Sequence, residues 1–204
     1  MEQYYKVLKA DGSCHHGGRG VWPEGEWMPA LRADRLLPCS YGYHILRRED
    51  VVYWLGPAIA TVEIPAAAAV IRHENKSVVA EARRGPFLVG WNERTQRLFA
   101  ADCAERGLPL FEARRPDDAR PRRAIEAARA FARGEIGRGE LRAAAYAAHA
   151  AYAAADYAAY AAAYAAASAA ADAAADYATA AYARADERAW QTERLWEYLD
   201  GVRG

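Results

Sequence analysis

The hydrophobic pattern along the chain changes character about midway. In the N-terminal half the apolar positions come in short runs separated by turn residues. Tyr4, Tyr5, Val7 and Leu8 surround a single Lys6 and run into Ala10-Asp11-Gly12, which predicts a first strand closed by a turn. Residues 13–25 are rich in Gly and read as loop, and residues 36–46 hold two short strand candidates split by Ser40-Tyr41-Gly42. A short helix is expected over 48–55, with acidic residues at its start and Gly56-Pro57 as its stop. Thr61 and Glu63 alternate with Ala60, Val62 and Ile64, the clearest strand pattern in the chain. A further strand is expected over 77–84, with Val78, Ala80 and Ala82 on one face. Asn92 then suits the cap of a helix running from Glu93 to about Arg106 and closed by Gly107. Leu98, Phe99 and Cys103 share one side of that helix, which makes Cys103 a small buried hydrophobe. Short strands followed by helices predict an α+β chain with a small mixed or antiparallel sheet, not a doubly wound one.

The second half reads as helix throughout. Pro121 suits the first turn of a helix that reaches Arg133 and stops at Gly134. From Glu140 to Asp200 there is neither Gly nor Pro, and about two-thirds of residues 143–185 are Ala, the strongest helix former. Unbroken, this segment would extend about 90 Å at the α-helical rise. At about 100° per residue, Tyr146, His149, Tyr157, Tyr160, Tyr164 and Tyr182 fall in one arc, and Leu141, Tyr152, Tyr177, Leu195 and Leu199 in a second. Tyr146, Tyr157, Ser168 and Thr179 recur every eleventh residue, a spacing that keeps a stripe nearly straight along a helix. Two tyrosine-bearing stripes call for helix partners on two sides, and small Ala side chains let helix axes approach closely. The interaction residues expected on this tail are Tyr146, Tyr157, Tyr160, Tyr164 and Tyr182, and the pattern leaves open whether the partner helix belongs to the same chain, a twin or another protein. Repeat expansion without a selected role is the alternative. Trp190, Leu195, Trp196, Tyr198 and Leu199 form a heavier apolar cluster suited to anchoring the tail. The domain boundary is expected near 118, with an α+β head over 1–118 and an Ala/Tyr-rich helical tail over 119–204.

Charge narrows the function classes. The formal net charge is zero, which argues against a general nucleic-acid binder or a membrane-surface protein. Residues 141–204 carry eight acidic side chains against five Arg, so the tail is net negative and the remainder net positive. The charge-free stretch between Asp156 and Asp172 is too short and too weakly apolar to span a bilayer. Three widely spaced Cys do not form a secreted disulfide framework, and the N-terminal residues lack the apolar run of a signal peptide, so a cytoplasmic address is expected.

Few residues carry candidate chemistry. Cys14, His16, Cys39 and His44 supply the residue types of a Cys₂His₂ metal site, but their spacing is not the two tight pairs that zinc sites use, and buried Cys with exposed loop His is the default. Gly17-Gly18-Arg19-Gly20 offers a phosphate-cradling loop, although no clearly capped helix follows it. No catalytic set and no cofactor is expected from these residues.

Several strings carry a resemblance. YYKVLKADGSCHHGG, GEWMPA, LLPCSYGYHILRREDVVYWLGPAIATVEI, WNERTQRLFAADCAERGLPLFE and RPRRAIEAARAFARGEI, with the Ala-rich tail ending in ERAWQTERLWEYL, resemble an uncharacterised family of bacterial and phage proteins. Parts of the tail are similar to immunity proteins of polymorphic-toxin systems. The order of Gly42-Tyr43-His44, a short helix and the 58–64 strand is also similar to ADP-ribosyltransferase-like folds, which would place Arg19 and His44 near a bound nucleotide or NAD; no matching Tyr and catalytic Glu accompany it. The leading expectation is a non-enzymatic interaction or assembly protein, of phage-accessory or immunity type, that oligomerises through its tail and binds a host or toxin protein. A nucleotide- or NAD-binding enzyme is the alternative.

Overall fold

The structure is a computed structural model and describes residues 2–153 and 177–203, with the side chains of 149–153 and 177–183 outside that description. The chain divides into two compact units, 1–92 and 93–204. Residues 93–118, grouped with the head in the sequence reading, therefore belong by packing with the helices that follow.

The first unit holds six strands in two antiparallel sheets: β1 (Tyr4–Leu8), β2 (Tyr43–Ile45), β3 (Ala58–Glu63), β4 (Ile71–His73), β5 (Lys76–Val79) and β6 (Arg83–Phe87). One sheet has the order β1-β3-β6, the other β2-β5-β4. β3 is central and buried on both faces over its first half: Ala58, Ile59, Ala60 and Val62 are all buried, and Glu63 at its end is exposed. A register shift between Ala60 and Val62 marks its pairing with β6. The sheets are stitched where β1 meets the chain just beyond β2: Tyr5 N–H donates to Leu46 O at 2.8 Å and Leu46 N–H returns to Tyr5 O at 2.9 Å. Tyr4, Leu8, Trp22, Ile45, Val62, Val79 and Ala82 form the core between them.

The strand expected over 77–84 is split. β5 ends at Val79 and β6 starts at Arg83, because the carbonyls of Ala80 and Ala82 accept from Leu31 N–H and Met28 N–H of the incoming loop instead of a strand partner. The first strand candidate within 36–46 is reduced to a single bridge between Leu37 and Tyr41. The short helix before β3 is a 3₁₀ helix (Arg48–Tyr53), closed at its start by Arg47 and the buried Asp50, whose carboxylate accepts from Arg47 Nε at 2.7 Å. Two glycines are fixed by close approach. Gly42 has φ 129°, and a Cβ there would lie 2.2 Å from a Val78 methyl; a Cβ on Gly85 would lie 2.2 Å from Thr61 Oγ1.

The described residues of the second unit form α1 (Glu93–Arg114), α2 (Arg120–Ala132), α3 (Arg138–Ala153) and α4 (Tyr177–Leu199). Helix α1 does not stop at Gly107 as expected; it continues through Gly107 and Pro109 to Arg114. An interior proline costs a helix about 3 kcal/mol, so tertiary contacts must offset it. Leu108 supplies one, buried with Ala101 and Ile125, and Arg129 supplies another, clamping Asp102 and Glu105 of α1 from α2. Helix α2 runs as expected and ends before Gly134, which adopts φ 77°.

Helix α3 packs on α2, and α4 packs on α1. Two contacts fix the relation of the tail's ends. Arg138 at the start of α3 lies 3.7 Å from Glu93, and Glu187 of α4 accepts from Arg106 Nε at 2.7 Å. Glu93 and Arg106 sit about 20 Å apart along α1, whereas one straight helix would hold residues 138 and 187 about 73 Å apart. The described parts of the tail therefore do not lie on one continuous rod. No helix among the described residues is long and apolar enough to cross a membrane.

Candidate functional site

The first unit holds a cleft of about 550 Å³, within the range that accommodates organic ligands. Its walls come from β1, the Gly-rich loop, the 39–46 segment and the end of the 3₁₀ helix. Every head residue singled out in the sequence lines it: Cys14, His16, Arg19, Cys39 and His44. Lys6, Trp22, Tyr43, Trp54 and Lys76 line it too, none of them a candidate site residue from the sequence.

Lys6 belongs to the face of β1 that carries Tyr4 and Leu8, so the strand period alone directs its stem into the core. Its ammonium donates to His44 O at 2.8 Å and lies 4.9 Å from the centre of the Trp22 ring. Burial lowers its pKa to about 8. Lys76 sits over Trp54 at 4.7 Å, and the Trp54 indole donates to Asn75 O at 2.9 Å, which fixes the ring.

His44 and His16 are both committed to the protein. His44 Nε2 accepts the Cys39 N–H at 2.9 Å, so its proton is on Nδ1 when neutral. Burial lowers the His44 pKa, and the Lys6 and Lys76 charges lower it further. Cys39 achieves its bond with φ 65°, a left-handed conformation uncommon outside glycine. His16 Nε2 lies 2.6 Å from Trp54 O and 3.1 Å from Leu55 O and donates to those carbonyls. The four proposed metal ligands thus share a cleft but do not converge: among the described residues no three His, Cys, Asp or Glu groups are placed to hold a metal ion.

In the second unit the dominant polar feature is a network around Asp102. It accepts from Arg129 Nη2 at 2.8 Å and from the Tyr198 hydroxyl at 2.8 Å, with Arg194 Nε at 3.6 Å. One turn on, Arg106 pairs with the buried Glu187 and lies 4.2 Å from the centre of the Trp190 ring. The expected anchor cluster is thus docked within its own chain, with Leu195, Trp196 and Tyr198 buried. Cys103 is half-buried, and burial pushes its thiol up to about 12. Of the tail stripe, Tyr146 is 74% exposed. Tyr157, Tyr160 and Tyr164 lie outside the described residues, as does the side chain of Tyr182.

Residues 91–200, nearly coextensive with the helical unit, match a family described as Imm-5 like putative immunity protein. The match spans more than half of the sequence, and the chain belongs to that family. No significant match is found among curated proteins or among solved structures. The cleft lies outside the matched region.

Proposed function

We propose that the protein is an immunity-type inhibitor that binds a toxin protein and blocks it without catalysis, acting in the cytoplasm of the cell it protects. The observation that carries this reading is the family match over residues 91–200, which coincides with a compact helical unit. A helical scaffold clamped by the Asp102 and Glu187 networks presents a rigid surface, and rigid surfaces lose little entropy on binding. The finer part of the proposal assigns the contacts to the tyrosine stripe of the tail. Tyr146, Tyr157, Tyr160, Tyr164 and Tyr182 supply large amphipathic rings of the kind enriched at interface hot spots, and the exposure of Tyr146 supports that use. The same stripe is the proposed route to self-association. Light scattering of the full chain, alone and with its cognate toxin domain, tests both claims. A stable complex with the toxin and a mass above the monomer for the free chain are expected. A free monomer refutes self-association, and the absence of a complex refutes the inhibitor.

A further inference from the structure

The cleft of the first unit is not needed by a protein whose family signature lies in the helices, and it has the makings of a binding site. Three cationic side chains line it, Lys6, Arg19 and Lys76, and among the described residues no carboxylate does. Elsewhere in the same unit Arg side chains are matched with acids: Arg47 with Asp50, Arg72 with Glu2, Arg83 with Glu63 and Arg84 with Glu24. None of the three cleft cations forms such a pair among the described residues; Lys6 is bonded to a carbonyl, Lys76 rests on an indole, and Arg19 stands on an exposed loop. Three unmatched positive charges around one concavity create a focused positive potential, and the ligand that answers it is an anion.

The remaining lining says what the anion is attached to. Val7, Trp22, Met28, Tyr43, Leu46 and Trp54 give the cleft an apolar, largely aromatic wall. Trp22 and Tyr43 are set edge to face at 5.5 Å, and Tyr43 is held by its hydroxyl donating to Pro29 O at 2.8 Å. These rings are fixed before any ligand arrives. The volume exceeds what a bare inorganic ion fills and suits a small organic molecule. At the rim, Gly17, Gly18 and Gly20 all have positive φ, and among the described residues no backbone carbonyl accepts from the N–H groups of residues 15–19. Their N–H groups and the Arg19 fork are a matched set for phosphate oxygens.

From this juxtaposition of three unpaired cations, a glycine-rich rim and a preset aromatic wall, we infer that the cleft binds a small phosphate monoester carrying a planar ring. Lys76 and Arg19 meet the phosphate, while Trp54 and Tyr43 contact the ring. His44 serves as a positioning residue, because its acceptor bond from the Cys39 amide fixes the segment that carries Tyr43.

The test uses the full chain and three probes: adenosine 5′-monophosphate, ribose 5-phosphate and adenosine. Titration calorimetry, backed by quenching of tryptophan fluorescence, gives the affinities. Adenosine monophosphate is expected to bind at least about tenfold more tightly than either fragment, a difference of about 1.4 kcal/mol. Lys76→Gln and Arg19→Gln should each weaken it about fivefold or more, whereas Arg32→Gln, the same charge change outside the cleft, should leave it unaltered. Far-UV dichroism and melting of each variant establish that it is folded. The inference is overturned if adenosine monophosphate binds no tighter than its fragments or does not bind at millimolar concentration. It is equally overturned if the cleft variants bind like the Arg32 control. Failure here leaves toxin binding by the helical unit untouched, since the two readouts are independent.

Discussion

Replacing Asp102 tests whether the end of the tail is docked as described. Its carboxylate is the meeting point of three helices: Arg129 reaches it from α2, Tyr198 and Arg194 from α4. The carboxylate is largely buried, with 12% of the side chain exposed, so these bonds are poorly screened. In Asp102→Ala neither cation is orphaned, because Arg129 keeps Glu105 and Arg194 keeps Glu197. The Tyr198 hydroxyl does lose its acceptor. A hydrogen bond to a charged group contributes about 1.5–3 kcal/mol, so two losses softened by the surviving pairs give a cost of about 2–4 kcal/mol. Tyr198→Phe alone should cost about 1–2 kcal/mol, and the double variant less than the sum, with a coupling of about 1–2 kcal/mol. Urea unfolding followed by far-UV dichroism, which the helices dominate, measures all four corners of the cycle. The phenol also gives a pH signature. Burial, and then the bond to Asp102, raises the Tyr198 pKa from 10.0 to about 12, so the neutral phenol is favoured in the folded state. That stabilisation is complete below pH 10 and is lost as the pH rises towards 12, and Tyr198→Phe should abolish this loss. A coupling under about 0.3 kcal/mol would mean that Tyr198 does not reach Asp102, and the docking of α4 would be refuted.

Lys6→Met should change the pH dependence of stability: the folded-state pKa of Lys6 is lowered from 10.5 to about 8, so the unfolded chain holds the extra proton between those values and the wild type should gain about 2 kcal/mol on the variant between pH 7 and 10. Chemical denaturation at the two pH values measures this, and a constant difference would refute the burial of the amine. Cys103, its thiol held protonated up to about 12, should resist iodoacetamide at pH 8 while the exposed Cys39 alkylates, as mass spectrometry of timed samples would read; equal rates would contradict the packing of α1. Replacing Tyr157, Tyr160 and Tyr164 together by Ala should lower oligomer mass or toxin affinity, with Ala158, Ala162 and Ala166 to Ser as the control; identical behaviour of the two triple variants would remove the stripe from the interface.

The sequence spoke clearly where local pattern and tertiary demand agree. β1, β3 and α2 were legible because alternation, a turn signal, an N-terminal Pro and a closing Gly all point the same way. The continuation of α1 was not, since Gly107 and Pro109 are local stop signals overruled by Leu108 and by the Arg129 clamp from a helix later in the chain. The break at 80–82 was hidden for a similar reason: the alternating pattern is intact, and the loop that occupies those carbonyls comes from residues 28–31. Cys14, His16, Arg19, Cys39 and His44 were recognisable as unusual and do share a cleft. Lys6 and Lys76 were not recognised, because a lone lysine in a strand looks like solvent-facing polarity until its neighbours on the same face prove buried. The signal was the period: Lys6 stands between Tyr4 and Leu8, two residues from each.

The most direct test of the account is neutralisation of the cognate toxin domain by the purified full chain, titrated against the toxin's own activity. The account predicts that activity falls linearly and ends at a fixed stoichiometry, that Asp102→Ala weakens the inhibition by loosening the helical scaffold, and that Lys76→Gln in the cleft leaves it intact. Undiminished toxin activity at a severalfold excess of the chain, with a folded protein in the cuvette, would contradict it.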